Sequence, residues 1–72
     1  MEEITINTEY IKLDAFLKYC GEAGTGGEAK VLVTGGKISV NGEQCLARGK
    51  KLRPGDRVSA PGGEYRVSGG EA

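Results

Sequence analysis

Side chains able to do chemistry are few in this chain, and their scarcity excludes a good deal. It has no histidine and two cysteines. A serine or cysteine nucleophile needs a base within hydrogen-bond reach, and no imidazole exists to supply one. Cys20 and Cys45 form no CxxC pair and have no histidine beside either, so four ligands for a tetrahedral zinc cannot be gathered. We expect both as free thiols, Cys20 as a small core residue and Cys45 as a strand residue, because an isolated disulfide belongs to secreted chains. Asp14 and Glu28 form an imaginable carboxylate pair. Each, however, falls in the first turn of an expected helix, where negative charge complements the dipole. Gly24-Thr25-Gly26-Gly27 is glycine-rich ahead of a helix, an arrangement that can hold anions, yet it lacks the lysine spacing of a P-loop. No enzymatic chemistry, metal or cofactor is expected.

What remains is positive charge. Ten bases balance ten acids, but the two are segregated along the chain. Residues 1–29 sum to −4, residues 30–57 to +5 and residues 58–72 to −1. A neutral total can therefore hide a local basic surface. Its densest stretch is Arg48-Gly49-Lys50-Lys51-Leu52-Arg53, four bases in six residues. Taken alone, a solvated loop explains such a run as well as an anion-binding site does.

These charges must be positioned by short elements. The chain has 72 residues, enough for one domain, which we place at residues 1–68 with residues 69–72 as a flexible tail. Glycine accounts for 13 of them, so turns are frequent. Glu3 to Thr8 alternates polar and β-branched apolar residues, the period of a half-buried strand. Leu13, Phe16, Leu17 and Cys20 follow helical spacing and predict a helix from about Lys12 to Cys20, closed by Gly21. Thr25-Gly26-Gly27-Glu28 matches a capping box and opens a second helix from about Gly26 to Thr34 that buries Ala29, Leu32 and Val33. The two glycines in its first turn cost about 1 kcal/mol each relative to alanine. Something must offset that, such as close approach of the first helix or of a ligand.

From Lys37 onward the pattern is strand and turn. Asn41-Gly42 marks a tight hairpin returning along Glu43 to Leu46, Pro54-Gly55 a turn before Arg57–Ala60, and Gly62-Gly63 a turn into Glu64–Val67. The class is α+β: two short helices packed on a small antiparallel sheet with an N-terminal strand. The longest apolar runs are three residues, far below the ~20 of a membrane span, and the acidic start lacks a signal peptide's positive region. The expectation is a cytoplasmic, monomeric domain. Tyr10 and Tyr65 read as structural. Tyr19, seven residues after Lys12, reads as packed on the sheet or as a platform for an unpaired base.

Laid end to end, these pieces resemble a known family. Lys12-Leu13-Asp14, Phe16-Leu17, Gly21, Thr25, Ala29-Lys30, Gly35 to Gly42 and Pro54-Gly55-Asp56-Arg57-Val58 are similar in order and spacing to the RNA-binding domain named after small-subunit ribosomal protein four, built on the alpha-L motif. The likeness runs from about residue 11 to 60. The whole chain resembles the stand-alone YaaA-like and YbcJ-like bacterial members, which have no catalytic partner domain. The resemblance implies structured RNA, ribosomal or transfer, as partner, held through its phosphates. Residue by residue it implies contacts at Lys12, Thr25, Lys30, Lys37 and Asn41, and it favours phosphate binding by Arg48, Lys50, Lys51 and Arg53. Lys12 stands where the family commonly has arginine, and Gly26 where its second helix usually has one. Two other readings stay open: a ubiquitin-like sulfur carrier activated at Gly69-Gly70, and a protein–protein adaptor on the same fold.

Overall fold

Period-two alternation at one end of the chain and period-3.6 spacing next to it produce a sheet with two helices on one face. The structure, a computed structural model, describes residues 1–69. Its elements are β1 (Glu2–Ile6), β2 (Ile11–Lys12), α1 (Leu13–Tyr19), α2 (Gly26–Thr34), β3 (Ser39–Val40), β4 (Glu43–Gln44), β5 (Lys51–Leu52), β6 (Arg57–Ala60) and β7 (Gly63–Gly69). The main sheet runs β1-β7-β6-β3-β4. It is antiparallel from β7 to β4, and β1 joins it parallel to β7, with Ile4 opposite Val67. The sheet is thus mixed, not purely antiparallel. A separate two-stranded ladder, β2 with β5, had no counterpart in the sequence pattern.

The apolar faces converge as their spacing requires. Leu13, Phe16 and Leu17 of α1 and Ala29 and Val33 of α2 are buried together with Ile6, Ile38, Val40, Val58, Tyr65 and Val67. Phe16 meets Tyr65 edge to face, with ring centroids 6.3 Å apart, the geometry that aromatic quadrupoles favour. Leu32, expected inside, is only half-buried against this core, and so is Ile4. Leu52 and Ala23 complete the core.

Local chemistry sets the ends of the elements. Asn41 (φ 53°) and Gly42 (φ 87°) both adopt left-handed backbone, the requirement of the type I′ turn that matches strand twist. The return strand stops at Gln44, which leaves Cys45 outside it and Leu46 exposed. Thr25 Oγ accepts from Glu28 N at 3.1 Å, as a capping box requires, but the Glu28 carboxylate takes Gly24 N at 2.6 Å, not the amide of Thr25. The β6–β7 turn is Pro61-Gly62, with Gly63 already in the strand. Gly69 pairs with Ile6 at the end of β7, so it is strand and not tail. The remaining tail, residues 70–72, lies outside the described residues, and with it Gly70 of the sulfur-carrier reading.

One polar contact ties the helical layer to the sheet. Glu22, just after α1, accepts from Tyr65 Oη through Oε2 and from Gly62 N at 3.2 Å through Oε1. A Cβ on Gly62 would stand 2.2 Å from that carboxylate, so a larger residue there would have to push the Glu22 side chain aside. The hydrogen bond to Glu22, reinforced by burial, pushes the Tyr65 phenol up to about 12. Both cysteines are free and half-buried; the Cys20 thiol is pushed upward by burial.

Candidate nucleic-acid interface

Positive charge gathers where α1 begins. Lys12 is the N-cap residue of that helix and offers no side-chain cap, so the first amides need other acceptors. The Arg48–Arg53 segment supplies them: Leu13 N donates to Lys50 O at 2.9 Å and Asp14 N to Arg48 O at 3.0 Å. One residue on, the segment becomes β5. Lys51 lies directly opposite Lys12, and Leu52, opposite Ile11, is fully buried. The basic run is therefore no free loop. Its backbone caps a helix and pairs as a strand, Leu52 anchors it in the core, and the side chains of Arg48, Lys50, Lys51 and Arg53 are left exposed with Lys12.

This arrangement concentrates like charge. Identical charges directly opposite on a ladder repel. Among the described residues the ion pair present is Arg66 with Glu3, and none of Lys12, Arg48, Lys50, Lys51 or Arg53 takes part in one. One partial relief is aromatic: Lys51 Nζ sits 5.0 Å from the centroid of the Tyr10 ring, a cation–π contact of about 0.5–1 kcal/mol at an exposed site. Tyr10 is structural in this sense, as a support for one of the charges.

The other expected contacts fall elsewhere. Lys30 is exposed on α2 and Lys37 is exposed just before β3. The Thr25 hydroxyl is engaged in capping α2. Asn41 is engaged as well: Oδ1 accepts from Arg57 N at 2.9 Å and Nδ2 donates to Asp56 Oδ1 at 3.2 Å. Asp56 Oδ2 in turn accepts from Arg53 N at 2.9 Å. Asn41 and Asp56 thus pin the β3–β4 hairpin to the turn that carries Arg53. Tyr19 lies against the sheet's edge strand, its hydroxyl donating to Thr5 O of β1 at 3.3 Å, but it is exposed and not partly buried as the reading of it as packed on the sheet had it.

Sequence reasoning passed over Arg57 as a site residue. It stands opposite Arg66 across β6–β7 and lines a polar cleft of about 560 Å³ on the open face of the sheet with Ser39, Asn41, Ser59 and Glu64. The signal was present in the alternation Arg57-Val58-Ser59, which turns Arg57 away from the core. No group of three or more metal-ligating side chains occurs among the described residues, and no helix there is long and apolar enough to cross a membrane.

The amino-acid sequence is similar to that of known proteins. A profile described as the S4 domain matches residues 4–68. The probable ribosome maturation protein RlbA of Bacillus subtilis (strain 168) is 40% identical over 65 residues, covering 89% of this chain and 92% of that protein.

Proposed function

We infer a function from one fact: the chain belongs to the S4 domain family. It binds structured RNA through the basic surface at the start of α1, acts in the cytoplasm and catalyses no reaction. The name of its relative from Bacillus subtilis makes ribosomal RNA the first candidate, with transfer RNA next. The observation that carries this reading is the placement of Lys12 opposite Lys51, with Arg48, Lys50 and Arg53 exposed around them. Lysines and arginines outside any ion pair among the described residues, on a backbone fixed by a helix cap and a buried leucine, suit a polyanion, since the cost of ordering on binding is confined to their side chains. Contacts of this kind go to phosphate and sugar and read shape more than sequence. Lys30 and Lys37 extend the phosphate contacts onto α2 and the start of the hairpin. Thr25 and Asn41, whose side chains are engaged within the protein, contribute by fixing the backbone beside those charges.

Titration with structured ribosomal RNA fragments over a series of salt concentrations tests the reading. Affinity should fall steeply with salt, with a logarithmic slope of roughly 0.7–0.9 per phosphate neutralised. Replacing Lys50 and Lys51 together with alanine should lower that slope by about 1.4–1.8 and weaken different structured RNAs to a similar degree. Glu2→Gln, in β1, should change little. Absence of binding at low salt, or a double variant that binds like the parent, would show the reading to be wrong.

A further inference from the structure

The open face of the sheet has chemistry of its own. Val40, Val58 and Tyr65 turn into the core, so Ser39, Arg57, Ser59 and Glu64 beside them turn outward, where they line the polar cleft of about 560 Å³. Strand register sets their arrangement. Ser39, Ser59 and Glu64 form one row across β3, β6 and β7, and Arg57 stands in the next row, opposite Arg66. Gly42 and Gly55, both at positive φ, rim the cleft and put no side chain across its mouth.

Two opposite charges in this cleft do not neutralise each other. Arg57 and Glu64 are diagonal neighbours on the β6–β7 ladder, a separation of about 7–8 Å that long side chains can span. Among the described residues, however, the ion pair is Arg66 with Glu3, and the side chains of Arg57, Glu64, Ser39 and Ser59 make no hydrogen bond. The backbone beneath Arg57 is fixed: its amide donates to Asn41 Oδ1 at 2.9 Å and its carbonyl accepts from Asn41 N at 2.8 Å. An occupant made of phosphate alone would meet the Glu64 carboxylate, and a cationic one the Arg57 guanidinium. The cleft suits a group that carries acceptors and donors side by side.

We propose that the cleft takes one unpaired guanine of the RNA. A guanidinium fork matches O6 and N7 of guanine, and a carboxylate matches the N1–H and the amino group on its Watson–Crick edge. Among the four bases, guanine alone offers two adjacent acceptors on one edge and two adjacent donors on the next. The hydroxyls of Ser39 and Ser59 supply further polar partners on the cleft floor. This inference rests on the RNA reading above and deepens it. Arg53 and Arg57 are the two ends of one turn, closed by Asp56 N donating to Arg53 O at 3.0 Å, so a strand held by its phosphate at Arg53 runs on into the cleft. Phosphate contacts then set affinity, and the guanine sets where on the RNA the protein sits.

Titration of the full chain with two RNA hairpins, one with an all-uridine loop and one with guanosines in that loop, tests this. The parent should bind the guanosine loop about tenfold tighter or more. Glu64→Gln leaves one acceptor where two are needed, and Arg57→Lys keeps the charge but loses the fork. Each should abolish most of that preference. Both side chains are exposed, so the thermal transition should stay the parent's. Inosine in place of guanosine, lacking the amino group, should weaken binding by the parent and make little difference to Glu64→Gln. The Lys50 and Lys51 double alanine variant should bind both hairpins more weakly and keep the preference, which separates this site from the basic surface. Equal affinity of the parent for the two hairpins, with the salt dependence intact, would overturn the guanine site and leave the RNA reading standing. A preference that survives both Glu64→Gln and Arg57→Lys would also overturn it, by placing the guanine elsewhere. Absence of binding to either hairpin at low salt would remove both readings.

Discussion

A single carboxylate fastens the helical layer of this fold to its sheet. Glu22 receives the Tyr65 hydroxyl and the Gly62 amide, joining the end of α1 to the β6–β7 hairpin. Because the Tyr65 phenol is raised to about 12 from an ordinary value near 10, the folded chain holds that proton where the unfolded chain has released it. The stabilisation is complete below pH ~10 and is lost as pH climbs toward 12. Denaturation followed across that window should show a decline that the Tyr65→Phe variant lacks, and phenolate absorbance should lose its highest-pH step in the same variant. The cysteines give a second prediction. With its thiol pushed upward by burial, Cys20 should react with a thiol reagent more slowly than Cys45 at neutral pH, and neither should need a reductant first. Residue roles were legible where type alone decides, as with the absent histidine. They were obscure where a partner far along the chain decides. Tyr65 could be read as structural, but Glu22, 43 residues away, could not be read as its partner. The Asn41 amide likewise looked available until its bonds to Asp56 and Arg57 were seen.

At the scale of elements, α2 and the β3–β4 turn could be read closely because their signals are local: a capping hydroxyl, helical spacing and the Asn-Gly pair. The strands β2 and β5 could not, since two residues are too short to show a period. The Arg48–Arg53 segment therefore looked like loop, and Leu52 within it looked incidental. Its burial reverses that. Leu52→Ala should cost about 2–5 kcal/mol, read from denaturant unfolding, while Lys51→Ala on the same two-residue strand should stay within about 0.5 kcal/mol. The contrast separates what holds the basic segment from what the segment presents. Lys12 opposite Lys51 follows from the same ladder, so the pair at the centre of the proposed RNA surface was out of reach until β2 and β5 were found to pair. Lys12 and Lys51 were each readable as basic. Their juxtaposition was not.

For the whole molecule, the α+β class and the order of elements followed from pattern, but the direction of β1 did not. Alternation says that one face is buried and is silent on whether the neighbour runs parallel. The crossover from β1 through both helices to β7 decides it, and the outcome is a sheet edge made from the two ends of the described chain. Ile6, nearly inaccessible, and the half-buried Ile4 make β1 integral to the core. Deleting residues 1–6 should therefore abolish the cooperative thermal transition followed by circular dichroism, rather than merely shifting it. This edge has a consequence for how the protein is made. Glu3 and Arg66, paired in the finished sheet, are 63 residues apart, so β1 leaves the ribosome first and waits longest for its mate. During elongation at about 5–20 residues per second, Ile4 and Ile6 have no β7 to cover them. Like charge at Glu2 and Glu3 discourages two such nascent segments from pairing with each other. The residue that later bonds Arg66 thus serves first as a guard on the unfinished chain.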